Sequence, residues 1–301
     1  MFPYAIKAIE KLSPKAFVFE NVKGLLRTSF SSYFEYILLR LMYPGFANVE
    51  GDDWQDHLTL LQQIDVMGYG GTKYNVQYRL LNAADYGVPQ TRERVVIVGI
   101  RSDVDAGWTF PAPTHSEDRL LWDQYVTRVY WKRHDILPLH ESEPKVEQTD
   151  RVRRLETRYG MFEPETLPWQ TVRDALKGVP DPEADHGIED HIYRGGARSY
   201  PGHTGSYIDW PAKTVKAGDH GVPGGENMIR YQDGSIRYFT VHEAKLIQTF
   251  PQNFKINGAW GEAMRQIGNA VPVRLASVLG HHLAKSLGMQ NNLHGQKHSN
   301  S

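Results

Sequence analysis

The chain has 301 residues, with 34 lysines and arginines against 35 aspartates and glutamates, a formal net charge of -1, 40% hydrophobic and 23% charged residues, and no cysteine. This length accommodates one large domain or two smaller ones around a sizeable core. The lack of cysteine excludes a disulfide framework, a thiolate metal site and a cysteine nucleophile within these residues. No apolar run approaches the roughly 18 residues of a membrane helix, and residues 1–7 lack the pattern of an export signal, so a cytoplasmic location with no membrane and no metal partner is expected. A balanced net charge does not by itself advertise a nucleic-acid binder, so that question passes to local charge.

Ile6, Ile9 and Leu12 recur at helical spacing until Pro14 stops the pattern. Ala16-Phe17-Val18-Phe19 is then a short apolar run ending in Glu20 and turning at Gly24, the pattern of a buried parallel strand. Two helical patterns follow, one ending at Leu38, Leu39 and Met42, the other marked by Leu60, Leu61, Ile64 and Met67 and closed by Gly68, Gly70 and Gly71. Residues 76–81 and 95–100 read as two further strands. This order suggests an α/β fold, the C-terminal half of a doubly wound, Rossmann-like domain, in which functional residues collect at carboxyl ends of strands. From Arg101 the texture becomes polar and rich in proline, including Pro111, Pro113, Pro138 and Pro144, as in an inserted loop-rich module. Residues 191–216 are locally basic, with Arg194, Arg198, Lys213 and Lys216 against Asp209 alone. Helical patterns return at residues 241–250 and 273–287, and residues 289–301 read as a disordered tail. The expected domains are therefore 1–100, a partial α/β domain; 101–236, a loop-rich recognition region; and 237–288, helices that return to the first domain.

Three segments carry candidate chemistry. Glu20-Asn21-Val22 places an acid where an apolar strand opens onto a turn, positioned to share a proton with a ligand, although a helix cap or surface ion pair would look the same. In Gln90-Thr91-Arg92-Glu93-Arg94, alternation puts Gln90, Arg92 and Arg94 on one face of an extended segment, so that two guanidiniums make a clamp for an anion or carbonyl; two surface salt bridges are the alternative. Gly268-Asn269-Ala270-Val271-Pro272 reads as a turn opening the last helix, with amides free to meet a polar ligand.

In this order the three segments resemble the cytosine-C5 DNA methyltransferases, with their Glu-Asn-Val, Gln-X-Arg-X-Arg and Gly-Asn-Ala-Val-Pro elements. The stretch from Arg237 through Glu243 to Pro251 and the segment from Trp210 to Val215 are similar to further family elements, and the resemblance runs from Phe2 to about Leu287. It implies that Glu20 holds the N3 and amino edge of a flipped cytosine, that Arg94 holds its O2, and that Arg92 reaches toward phosphate or the loop. It implies further that Asn269 and the amides of Ala270 and Val271 close one side of an S-adenosylmethionine pocket. Double-stranded DNA is the implied partner, met by the basic stretch through Arg198, Lys213 and Thr214 or, equally, left as a solvated loop.

Two family elements have no counterpart in the sequence: the Phe-X-Gly-X-Gly cofactor loop and the Pro-Cys-Gln loop whose thiolate attacks C6. Three readings stay open. The chain is the C-terminal subunit of a restriction-modification methyltransferase completed by a polypeptide carrying both loops, or a truncated inactive remnant, or a non-catalytic DNA-binding specificity protein. The first two account for retention of Glu20, Arg92 and Arg94.

Overall fold

A computed structural model describes residues 2–46, 53–64, 68–105, 107–136, 146–216 and 227–288. Met67, Pro138, Pro144 and the tail expected at 289–301 lie outside them. The chain divides into two compact units, one made of Met1–Leu81, Glu93–Pro111 and Leu279–Ser301, the other of Asn82–Arg92 and Ala112–Val278.

The first unit holds α1 (Phe2–Leu12), β1 (Ala16–Val22), α2 (Ser31–Met42), α3 (Trp54–Gln62), β2 (Tyr74–Asn82) and β3 (Glu93–Arg101). The strands form one sheet in the order β1-β3-β2. β1 is antiparallel to β3, with Phe17 opposite Gly99, Glu20 opposite Val96 and Val22 opposite Arg94, which corrects the expectation of a parallel strand. Its apolar run reflects burial of Phe17 and Phe19 on one face rather than helices on both. They pack with Phe2 on a core of Ile6 and Ile9 from α1, Phe34, Ile37 and Leu41 from α2, Tyr74, Val95 and Ile97. Spacings of three and four residues place the helical members on single stripes. Gly99 is required by this packing, because a Cβ there would lie 2.1 Å from the Phe17 ring.

β1 is an edge strand among the described residues. The Arg101 amide donates to the Lys15 carbonyl at 2.9 Å, which fixes the alternation of the antiparallel ladder: Phe17, Phe19 and Asn21 bond β3, and the backbone groups of Ala16, Val18, Glu20 and Val22 face away from it. The Val22 amide is met by the Asn21 side chain at 2.8 Å. Val18 and Val22 are 44% and 56% exposed.

The second unit contains β4 (His115–Ser116) parallel to β5 (Leu167–Pro168), α4 (Glu117–Leu121) running into a π turn at Trp122–Val126, α5 (Val129–His134), α6 (Val146–Tyr159) and α7 (Val172–Ala175). A second small sheet orders β6 (Ser206–Tyr207), β7 (Met228–Arg230) and β8 (Ile236–Tyr238), followed by α8 (Val241–Ile247), α9 (Trp260–Asn269) and the start of α10 (Val273–Ser286), whose residues from Leu279 on belong to the first unit. One core joins Val172, Ile208, Ala212, Val215, Ile229, Phe239, Ala244, Ile247, Met264 and Ile267. Residues 237–278 therefore share a core with the recognition region, and the contact division does not follow the boundaries expected at 100 and 236. α9 was not expected; its apolar positions Ala263, Met264 and Ile267 make a stripe too short to stand out among glycines and charges. Gly268 and Asn269 accordingly close a helix rather than open one, and the Ala270 amide donates to the Ile267 carbonyl at 3.1 Å instead of standing free.

Candidate functional site

Glu20 and Arg94 meet in the first unit. Glu20 is opposite Val96, so Arg94, two residues back along β3, is its diagonal neighbour on the same face of the sheet. The Arg94 Nε lies 2.7 Å from the Glu20 Oε1, with the two side chains 14% and 26% exposed, and Nη1 donates to the Glu93 carbonyl at 2.8 Å. A half-buried carboxylate with one oxygen held by a guanidinium is oriented and still open to a ligand. Lys23 pairs with Glu93 at 2.7 Å, so Glu93 does not compete for Arg94.

Arg92 does not join that pair, which corrects the expected two-guanidinium clamp. β3 begins only at Glu93. Before it, residues 89–91 are pinned to the second unit's own chain: Gln90 bridges Ala212 in parallel, the Thr91 amide donates to the Ala212 carbonyl at 2.8 Å and the Ala212 amide to the Pro89 carbonyl at 2.9 Å. Arg92 is 2% exposed. Its guanidinium donates to the carbonyls of Val215 at 3.3 Å, Gly268 at 2.7 Å and Ala270 at 3.1 Å. It is a brace that ties the segment at 212–215 to the Gly-Asn-Ala turn, not a group presented to phosphate. Gln90 supports the brace, accepting the Val215 amide at 3.4 Å on Oε1.

The turn itself is built for stiffness. The Gln248 side chain donates to the Ile267 carbonyl at 3.0 Å, and the start of α10 is met by the Gln248 carbonyl and the Thr249 hydroxyl, which accept the amides of Val273 and Arg274 at 3.1 and 2.9 Å. Asn269 is exposed, while Ala270 and Val271 are half-buried. With the Ala270 amide and carbonyl engaged, Asn269 is the member of the trio with a side chain open to a polar ligand.

Of the residues expected to face DNA, Arg198 is exposed. Lys213 donates from Nζ to the Thr204 hydroxyl at 3.0 Å, and Thr214 donates to the Thr91 carbonyl at 2.9 Å, so Thr214 belongs to the brace. Asp209, the acid of the basic stretch, is internally matched: it accepts from Tyr130, Arg173 and Gln232 at 2.8, 2.6 and 2.8 Å. Its charge is thus cancelled within the fold and does not oppose an anion at the surface.

Two buried arrangements have no local signal in the sequence, although the stretch from Arg237 to Glu243 carries part of the family resemblance. Arg237 grips Glu243 through both guanidinium nitrogens at 2.7 and 2.6 Å, and Glu243 also completes a capping box with Thr240 at the start of α8. Gly87, at φ +79°, packs where a Cβ would lie 2.7 Å from the His115 ring and 2.8 Å from the Arg274 guanidinium. Burial, aided by the Arg274 charge, pulls His115 down to about 4. The Asp-Tyr-Gly spacing signals a turn, but nothing in it announces the histidine. Among the described residues no cluster of histidines and acids could hold a metal, and no helix is long and apolar enough to cross a membrane.

The chain is 28% identical to the Type II methyltransferase M.SacI of Streptomyces achromogenes over 94% of its own length and 63% of that protein. It is 30% identical to M.NgoFVII of Neisseria gonorrhoeae over 89% of its own length and 58% of that protein. It thus spans less than two thirds of each of these relatives. The structure of the Schizosaccharomyces pombe Dnmt2 methyltransferase covers 95% of this chain and 72% of that one at 15% identity, with a TM-score of 0.47. A model of the C-5 cytosine-specific DNA methylases matches residues 1–285, a span that takes in Glu20, the brace and the Gly-Asn-Ala turn alike, and the chain belongs to that family.

Proposed function

We propose that this chain binds duplex DNA and holds a flipped cytosine for methylation at C5, as part of a restriction-modification methyltransferase whose attacking thiolate comes from a complementary polypeptide. The observation that carries the reading is the Glu20–Arg94 pair at the end of β1. Glu20 holds the N3 and amino edge of the base through its free oxygen, and a proton shared at N3 draws electron density from C6. Arg94, fixed by Glu20 and the Glu93 carbonyl, faces O2, where negative charge grows as a nucleophile adds. Arg92 acts one step back, as a positioning residue for the 212–215 segment and the Gly-Asn-Ala turn. S-adenosylmethionine would supply the methyl group, and the residues present fit one edge of it: Asn269 offers an exposed amide on a turn already locked by Arg92 and Gln248.

Attack at C6 near neutral pH calls for a thiolate, and no residue among the 301 provides one. The outward-facing backbone groups of β1 support a partner that adds a strand there. The test mixes the chain with a polypeptide bearing the Phe-X-Gly-X-Gly and Pro-Cys-Gln segments and follows methyl transfer from S-adenosylmethionine to DNA. Transfer by the mixture and by neither component alone is expected. DNA binding without transfer in the mixture would assign a specificity protein instead.

A further inference from the structure

The stretch from His191 to Ile208 contains no aspartate or glutamate, and it exposes an unusual amount of aromatic surface, with Tyr193, Tyr200 and Tyr207 all open to solvent. Tyr200 is the best defined of them. Its amide donates to the His203 carbonyl at 3.3 Å, and the His203 amide returns to the Tyr200 carbonyl at 2.8 Å, closing a two-residue hairpin. Pro201 occupies the first corner and Gly202, at φ +84°, the second, as a type II turn demands. The two rings lie 4.4 Å apart at 39°. His203 thus backs one side of the phenol, which is 48% exposed. Arg198 is exposed two residues before it.

We propose that the Tyr200–His203 hairpin is a stacking tip that takes the face of an unstacked DNA base while Arg198 meets the neighbouring phosphate. The inference rests on the proposal that this chain binds DNA and deepens it. A rigid hairpin loses little entropy on docking, a phenol ring already backed by a second ring presents one preset plane, and an acid-free surround does not repel the phosphates. Base–aromatic stacking contributes about 1–3 kcal/mol, or about 5- to 150-fold in affinity. Bases in intact duplex offer no free face, so this term operates only where a base is unpaired.

The experiment titrates the full chain by fluorescence anisotropy against a labelled duplex and the same duplex with one abasic site, which leaves the opposite base without its partner. The chain is expected to bind the abasic duplex more tightly. Tyr200→Ala should remove about tenfold on the abasic duplex and little on the intact one, and Tyr200→Phe should retain the preference. Arg198→Ala should weaken both duplexes alike and lower the salt dependence by about one phosphate contact. Binding to both duplexes with no effect of Tyr200→Ala, or an equal loss on both, overturns the stacking tip and leaves DNA binding standing. Failure of the unaltered chain to bind either duplex overturns both.

Discussion

Glu20 and Arg94 owe their meeting to the ladder: one residue of slip between β1 and β3 would put them on opposite faces of the sheet. Their division of labour predicts that Glu20→Gln, which keeps the shape and loses the carboxylate, slows turnover of the completed enzyme by about 10²–10⁴. DNA affinity should stay within a few fold. Equal losses in turnover and affinity would mean that Glu20 places the duplex rather than the proton. Arg92 is different in kind. Arg92→Ala leaves three carbonyls without their donor, two of them in buried hydrogen bonds, and should destabilise the second unit by about 3 kcal/mol, read as a fall in the urea midpoint. An unchanged midpoint would refute the brace. The placement of Glu20 at the end of an apolar strand and of Arg94 in an alternating segment was legible in the sequence, whereas their meeting depends on the antiparallel register between β1 and β3. The inward turn of Arg92 was not legible, because the strand does not run back past Glu93: Gln90 and Thr91 pair with Ala212, more than 120 residues away in the chain, and Arg92 bonds Val215, Gly268 and Ala270.

At the scale of elements, the start of α8 concentrates stability in a few groups. Thr240 and Glu243 cap each other, and Glu243 neutralises the buried Arg237. Thr240→Ala removes the cap and a buried hydrogen bond to the His191 Nδ1 at 2.8 Å and should cost about 2 kcal/mol. Glu243→Ala strands a buried guanidinium and should cost about 3–5 kcal/mol, and replacing both members of the pair with apolar residues of similar volume should recover much of that loss. Unfolding curves of the four proteins test the order; similar losses for Thr240→Ala and Glu243→Ala would show that the ion pair contributes little. A second element-level effect sits where the turn at Gly87 meets β4. His115 is held neutral by burial and by the Arg274 charge, down to about 4 from its ordinary 6.5. Between those values the unfolded chain binds a proton that the folded chain refuses, so stability falls as pH drops through this window and is fully present above it. Lowering the pH from about 7 to about 5 should cost His115→Gln less stability than it costs the unaltered chain. Parallel losses would place the acid sensitivity elsewhere. The helices of the first unit were legible from their apolar spacing, whereas α9 and the shared core of the second unit depend on contacts between segments far apart in sequence, which local patterns do not encode.

For the whole molecule, the decisive feature is the edge of β1. Edge strands are ordinarily blunted by charge, proline or a bulge. Here Ala16, Val18, Glu20 and Val22 turn their backbone groups outward, Val18 and Val22 are apolar and exposed, and among the described residues the edge is blunted towards its C-terminal end, by the Glu20 charge and by the Asn21 side chain on the Val22 amide. That arrangement suits a strand to be joined, and a joined strand would run alongside Glu20, as the proposed two-polypeptide enzyme calls for. A complementary polypeptide of the proposed kind should therefore move the chain to a defined one-to-one complex in size exclusion, and the chain without it should self-associate as its concentration rises. Val18→Lys places a charge on the exposed face of the edge and should improve solubility alone while weakening the complex. A monodisperse monomer with no affinity for the added polypeptide, or a complex indifferent to Val18→Lys, would remove β1 as the joining edge.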